Sequence, residues 1–123
     1  MIKGRSINPI PRLILISLFS LSFTICGSTE EEKELALHHF MQGEFLVSQG
    51  NYAQAILEFQ DAIELDPNAA TIHVSIADAY RRLGKTKRTE NHLNTALDLD
   101  PEEIEASEML GQLFINQKKS TNN

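Results

Sequence analysis

Residues 50–70 read GNYAQAILEFQDAIELDPNAA, and residues 84–104 read GKTKRTENHLNTALDLDPEEI. Laid over each other, Gly50 meets Gly84, Ala62 meets Ala96, and Leu65-Asp66-Pro67 meets Leu99-Asp100-Pro101, every pair 34 positions apart. The same period links Gly43, Ala77 and Gly111, which extends the register to a third unit. Self-similarity at such a period marks a repeat architecture, in which each unit is one supersecondary element that buries its apolar face against its neighbours. Within the first unit Ala55, Ile56, Phe59, Ala62 and Ile63 keep the i, i+3, i+4, i+7 spacing of a helix with one apolar side. That pattern stops at Asp66-Pro67, where proline cannot continue a helix and pushes the residue before it out of the αR region. Gly50 and Gly84 fall where the chain must reverse, the position after a helix C-cap. Gly43, Ala77 and Gly111 are small where two helices must approach closely. The spacing predicts five helices and no strands: Glu34–Gln49, Tyr52–Asp66, Ala70–Leu83, Thr86–Asp98 and Pro101–Gln117.

The period and the residues resemble the tetratricopeptide repeat, two antiparallel helices carrying W-x₂-L-G-x₂-Y, then A-x₃-F, then Pro. In a first unit, about 36–69, Gln42-Gly43 fills the L-G slot, Leu46 the Tyr slot, Ala55 and Phe59 the A-x₃-F pair, and Pro67 closes. In a second, about 70–103, Ile76-Ala77, Tyr80, Thr89, Leu93 and Pro101 do the same. The third is a first helix only, with Leu110-Gly111 and Phe114, while the Trp slot holds His39, His73 and Ser107. The resemblance implies an all-α helix-turn-helix solenoid over 35–117, two repeats plus a capping helix at 101–117, followed by a polar, frayed tail at 118–123. An open solenoid end exposes apolar surface, so the last helix needs a polar outer face.

In that family the first helix of each unit lines a concave groove that takes a peptide or partner protein. Carried onto this register, the groove residues are Phe40, Glu44, Val47, Val74, Asp78, Arg81, Glu105, Glu108 and Gln112, with Arg82 beside them. Members that bind chaperones hold a C-terminal carboxylate with a clamp of Lys, Asn and Arg. The corresponding places here hold Phe40, Glu44, Ser75, Glu105 and Met109, so a basic or apolar segment is the better fit. The resemblance implies no enzymatic activity and no cofactor.

The remaining residues agree with an interaction module. The chain has 123 residues, enough for one small domain, with 11 Lys and Arg against 17 Asp and Glu. Its net charge of −6 argues against a nucleic-acid partner, which needs clustered cations to neutralise phosphate. One local exception is Arg81, Arg82, Lys85, Lys87 and Arg88, a cluster that suits a helix C-terminus in part and an acidic docking partner in part. A single Cys excludes a disulfide framework and a multi-thiolate zinc site. His38 and His39 are adjacent and point apart, while His39 and His73 occupy equivalent slots between helices, so no metal site is expected. Gly84-Lys85-Thr86 lacks the preceding glycine of a phosphate loop, the place being Ala79. The carboxylates Glu58, Asp61, Glu64 and Asp66 read as a solvated helix face, and nothing in the sequence sets a nucleophile beside a base.

Upstream of the repeats, Lys3, Arg5 and Arg12 precede an uncharged run, Leu13–Ile25 (LILISLFSLSFTI). A basic start followed by a short apolar run is the pattern of a secretory signal peptide, here residues 1–25, and the run is short for a membrane-spanning helix. Cys26 follows Ser22-Phe23-Thr24-Ile25 and precedes Gly27-Ser28-Thr29, which resembles the lipobox of bacterial lipoproteins. That resemblance implies cleavage before Cys26, a covalent lipid on its thiol and attachment to a bacterial envelope membrane, the outer rather than the inner, since Gly27 and not an acid follows the Cys. Loss of 1–25 would take the charge from −6 to −9, because Lys3, Arg5 and Arg12 go with it. Residues 26–34 read as a tether, although Glu30-Glu31-Glu32 also suits the first turn of a helix. The expected product is a lipid-anchored scaffold. The alternative is a structural subunit or a self-associating repeat module, periplasmic or secreted without lipid.

Overall fold

A computed structural model describes residues 28–122. The expected signal peptide, and with it Cys26 and Gly27, lies outside the described residues. Among those described there are five α-helices and no strand: α1 (Glu30–Ser48), α2 (Tyr52–Leu65), α3 (Ala70–Arg82), α4 (Thr86–Leu99) and α5 (Ile104–Thr121). The architecture is the helix-turn-helix solenoid, all-α, in which α1 packs on α2, α2 on α3, α3 on α4 and α4 on α5.

The turns explain why the helices end where they do. At the end of α1, Gly50 takes φ +79°, its N–H donates to the Val47 carbonyl at 2.9 Å, and the Asn51 N–H donates to the Leu46 carbonyl at 2.9 Å. Gly84 repeats this at φ +70°, with Gly84 and Lys85 donating to Arg81 and Tyr80 at 3.0 and 2.9 Å. Both are Schellman turns, and the positive φ explains the glycine at each. After α2 and α4 the chain leaves the helix at Asp66 and Asp100, each directly before proline.

Three boundaries differ from the sequence-based expectation by more than one residue. The acidic run at 30–34 is helix and not tether, because Thr29 closes a capping box: its Oγ1 accepts from the Glu32 N–H at 3.2 Å, and its own N–H donates to Glu32 Oε2 at 2.7 Å. The last helix starts at Ile104 and not Pro101, since Asp100 Oδ1 instead takes the Glu102 N–H at 3.0 Å and holds 100–103 as a turn. It runs on to Thr121, so most of the expected frayed tail is helical, with Lys118 and Lys119 suiting the negative end of the dipole.

The core has two parts, and α3 belongs to both. Ala55, Ile56, Phe59 and Ala62 of α2 pack with Ile72, Ile76, Ala79 and Tyr80 of α3. Ala70, Val74 and Ala77 on the other side of α3 pack with Leu93 and Ala96 of α4 and Ala106 of α5. Phe59 is fully buried and lies directly against Gly43, where a Cβ would run into its Cε1. This is the close approach that the small residue at the repeat's L-G slot allows. At Gly111 the same slot faces nothing within 4 Å, because among the described residues no second helix follows α5.

Candidate functional site

The first helices of the units, α1, α3 and α5, carry the expected groove residues, and a large cleft lies between α3 and α5. Its volume is about 870 Å³. Asp78, Arg81 and Arg82 form one wall, and Glu105, Glu108 and Gln112 part of the other, so six of the ten expected residues meet there. Ser107, Met109, Gly111, Leu113, Ile115 and Asn116 complete the α5 wall. None of these six was among the expected groove residues, although Met109 stands at a clamp position. The register could have found Ile115, which occupies in the third unit the slot of Val47 and Arg81.

Asp78 organises the α3 wall. Its Oδ1 accepts from Arg81 Nε at 3.0 Å and from a second Arg81 nitrogen, and its Oδ2 accepts from Arg82 Nε at 2.8 Å. Burial alone would push the Asp78 carboxyl up, but the hydrogen bonds and charges of Arg82 and Arg81 outweigh it and hold it below the ordinary carboxylate value. Arg82 also lies over the Tyr52 ring, 5.6 Å from its centroid. Two guanidinium groups are thereby fixed by one carboxylate, leaving one net positive charge opposite Glu105 and Glu108.

The other four expected residues are elsewhere. Val74 is 3% exposed and belongs to the core with Leu93, so it offers no surface to a ligand. Val47 is half-buried against the first core cluster. Phe40 packs on Phe59 with ring centroids 5.8 Å apart and edges a separate apolar pocket of about 180 Å³ with Ala36, Leu37, Ala69 and Ile72. At the slot shared by Phe40 and Val74 the side chain leans onto the second helix of its own unit, against Phe59 in the first and Leu93 in the second, whereas the Val47 slot is held by Arg81 and Ile115 in the later units and there faces the cleft. Glu44 does face outward and accepts from Ser75 Oγ at 2.7 Å, a bond that ties α1 to α3 across the groove floor.

The basic cluster is largely committed within the chain. Arg81 and Arg82 serve Asp78, and Arg88 donates to Tyr80 Oη at 3.1 Å with its guanidinium over that ring at 5.3 Å. Only Lys85 and Lys87 of the five make no side-chain ion pair or hydrogen bond among the described residues, which leaves little of a docking patch for an acidic partner.

The histidines sit between helices. His39 Nδ1 and Glu58 Oε2 are 2.8 Å apart, and Asp61 stands beside them, so these three are the described donors able to gather round a cation. One unit on, His73 and His92 bring their Nδ1 atoms to 3.1 Å, and the His92 ring stacks on Tyr80 at 5.6 Å. Burial lowers the pKa of both, and for His92 the charges of His73 and Arg88 lower it further. No helix of the described residues is long and apolar enough to cross a membrane.

Comparison with known proteins agrees with this geometry. Two family models, described as TPR repeat and tetratricopeptide repeat, match residues 43–84 and 70–103, so the register over 43–103 is that of tetratricopeptide repeats. A curated relative, anaphase-promoting complex subunit 3 of Dictyostelium discoideum, is 31% identical over 74 residues. That alignment takes 60% of this chain but only 8% of the relative's length. Among solved structures, the first TPR of Spaghetti (RPAP3) bound to the HSP90 peptide SRMEEVD is 26% identical, with TM-score 0.68 over 71% of each chain. The second TPR of the same protein, with the same peptide, is 24% identical at TM-score 0.67, over 72% of this chain and 82% of that one. The TPR2AB domain of yeast Sti1, in complex with HSP90, is 16% identical at TM-score 0.67, covering 97% of this chain and 45% of that chain.

Proposed function

We propose that this chain is a non-enzymatic interaction scaffold, lipid-anchored through Cys26 at a bacterial envelope membrane, that takes a partner protein or peptide in its groove. The observation that carries the binding role is the cleft between α3 and α5, with paired guanidinium groups on one wall and unpaired carboxylates and apolar side chains on the other. Support comes also from the solved TPR domains of like fold, two of which hold an HSP90 peptide. The ligand differs in kind, however. Glu44 and Glu105 stand where a carboxylate-binding clamp would need cations, and Glu105 and Glu108 face the cleft. An extended segment bearing Lys or Arg between apolar residues suits it better than an acidic chain end.

An array of immobilised heptapeptides of graded charge, probed with the full chain, tests the groove. Basic-apolar peptides should be retained and SRMEEVD should not, and Glu105→Lys with Glu108→Lys should cost about tenfold or more in retention. Equal retention of acidic and basic peptides would overturn the reading. The anchor is supported by the sequence of residues 1–29 and is tested separately by intact mass of the protein extracted from membranes of a bacterial host. Loss of Met1–Ile25 with acyl mass on Cys26 is the expected result. A cleaved chain without lipid would make it a soluble exported adaptor, and a full-length chain would retire the lipoprotein.

A further inference from the structure

Among the described residues the third repeat has its first helix only, and the face that this helix leaves uncovered has a definite shape. In the first unit α1 seats Ala36, Gly43 and Leu46 toward α2, with Phe59 filling the hollow over Gly43. In the second unit the equivalent Ala70 and Ala77 of α3 are buried with Leu93 of α4. The equivalents on α5 are Ile104, Gly111 and Phe114, with Ile115 beside them. Ile104 is 72% exposed, Ile115 51% and Phe114 47%, and a Cβ at Gly111 would touch nothing within 4 Å. The opposite side of α5, through Ala106, Met109 and Leu110, is the one that packs on the body of the protein. The bare stripe is therefore the face that a second helix covers in the first two units.

We infer that a second copy of this chain supplies that helix, the two α5 helices pairing antiparallel about a two-fold axis. Charge along α5 decides the occupant and its direction. Glu105 and Glu108 lie toward the N-terminal end, Lys118 and Lys119 toward the C-terminal end. A helix so polarised repels a parallel copy and attracts an antiparallel one, and an isologous interface makes each attraction twice. The register closes on itself as well. Setting Glu108 against the second copy's Lys118 brings Ile115 over the second copy's Gly111, so a branched side chain fills the hollow over a glycine as Phe59 does over Gly43. The inference stands on α5 and not on the identity of the groove ligand. Because Glu108 and Ile115 also edge the cleft, the second copy's helix becomes one rim of the groove.

Sedimentation equilibrium of the full chain in density-matched non-ionic detergent tests this. A reversible monomer–dimer equilibrium is expected, weakened at least about tenfold by Ile115→Asp, an exposed site where circular dichroism should show the fold unchanged. Lys118→Glu should weaken it too, and Glu108→Lys combined with Lys118→Glu should restore it, because the exchange returns opposite charges only in the antiparallel register. A chain that stays monomeric overturns the pairing and leaves the groove reading standing. Association indifferent to Ile115→Asp, or a double variant no tighter than Lys118→Glu alone, overturns the interface.

Discussion

Gly43 and Gly111 are the same residue in the same register, yet they differ in what a methyl group would meet. At Gly43 the added carbon runs into the Phe59 ring, which is buried and has no room to retreat. Gly43→Ala should therefore destabilise by about 1–3 kcal/mol, the usual cost of overpacking, read from urea unfolding. At Gly111 the space is open, so Gly111→Ala in dilute solution should instead stabilise by up to about 1 kcal/mol through helix propensity. The histidine pair adds a pH dependence. His73 and His92 bind protons less readily in the folded chain than in the unfolded one, where the pKa is near 6.5. The unfolded state takes up more protons below that point, so stability is full above about pH 6.5 and falls as pH drops through the lowered folded values. Urea midpoints between pH 8 and pH 5 should show this decline, with Arg88 and Tyr80 the neighbours that shape it. His92→Phe should flatten it. The sequence placed His73 between helices but gave no sign that His92 faces it, because that meeting depends on how α3 and α4 cross.

The starts at Tyr52, Ala70 and Thr86 were read as they stand, and the stops of the first four helices to within one residue, but two starts were not. Gly50, Gly84, Pro67 and Pro101 each impose a backbone conformation by their own chemistry, and the stops were legible from them. The starts of α1 and α5 depend on side chains that take backbone N–H groups, at Thr29 and Asp100, and both were misplaced, whereas α2, α3 and α4 begin without a side-chain cap. Thr29→Ala should free the first turn of α1, with a cap worth about 0.5–2 kcal/mol. Amide exchange at Glu30–Lys33 is the measurement, and protection lost there while the later turns of α1 keep theirs is the expected outcome. The groove was legible in part for a related reason. The 34-residue register assigned Asp78, Glu105 and Gln112 correctly to one cleft, and Glu108, which holds the slot of Phe40 and Val74, reaches that cleft because among the described residues no second helix follows α5 to cover it. It could not separate them from Phe40, Val47 and Val74, which lie near the border between groove and core. There a small rotation of the helix decides between partner and interior.

Across the whole molecule, burial is uneven. α3 carries seven buried residues and packs on both sides, whereas α5 fully buries only Ala106. Native-state hydrogen exchange of dilute protein should therefore run fastest in α5 and slowest in α3, with protection of α5 rising as protein concentration rises. Phe59→Ala, at the centre of the first core cluster, should cost about 3–5 kcal/mol, a large share of what so small a domain has to lose. Each helix, moreover, packs chiefly on the one before it and the one after, with only minor contacts beyond these, such as that between α1 and α3. No early segment has to wait for a distant one before it can bury its apolar face. Such a chain can collapse in order, hairpin by hairpin, while its later half is still inside a ribosome or a translocation pore. Released from denaturant it should refold within milliseconds or faster, as low-contact-order helical chains do.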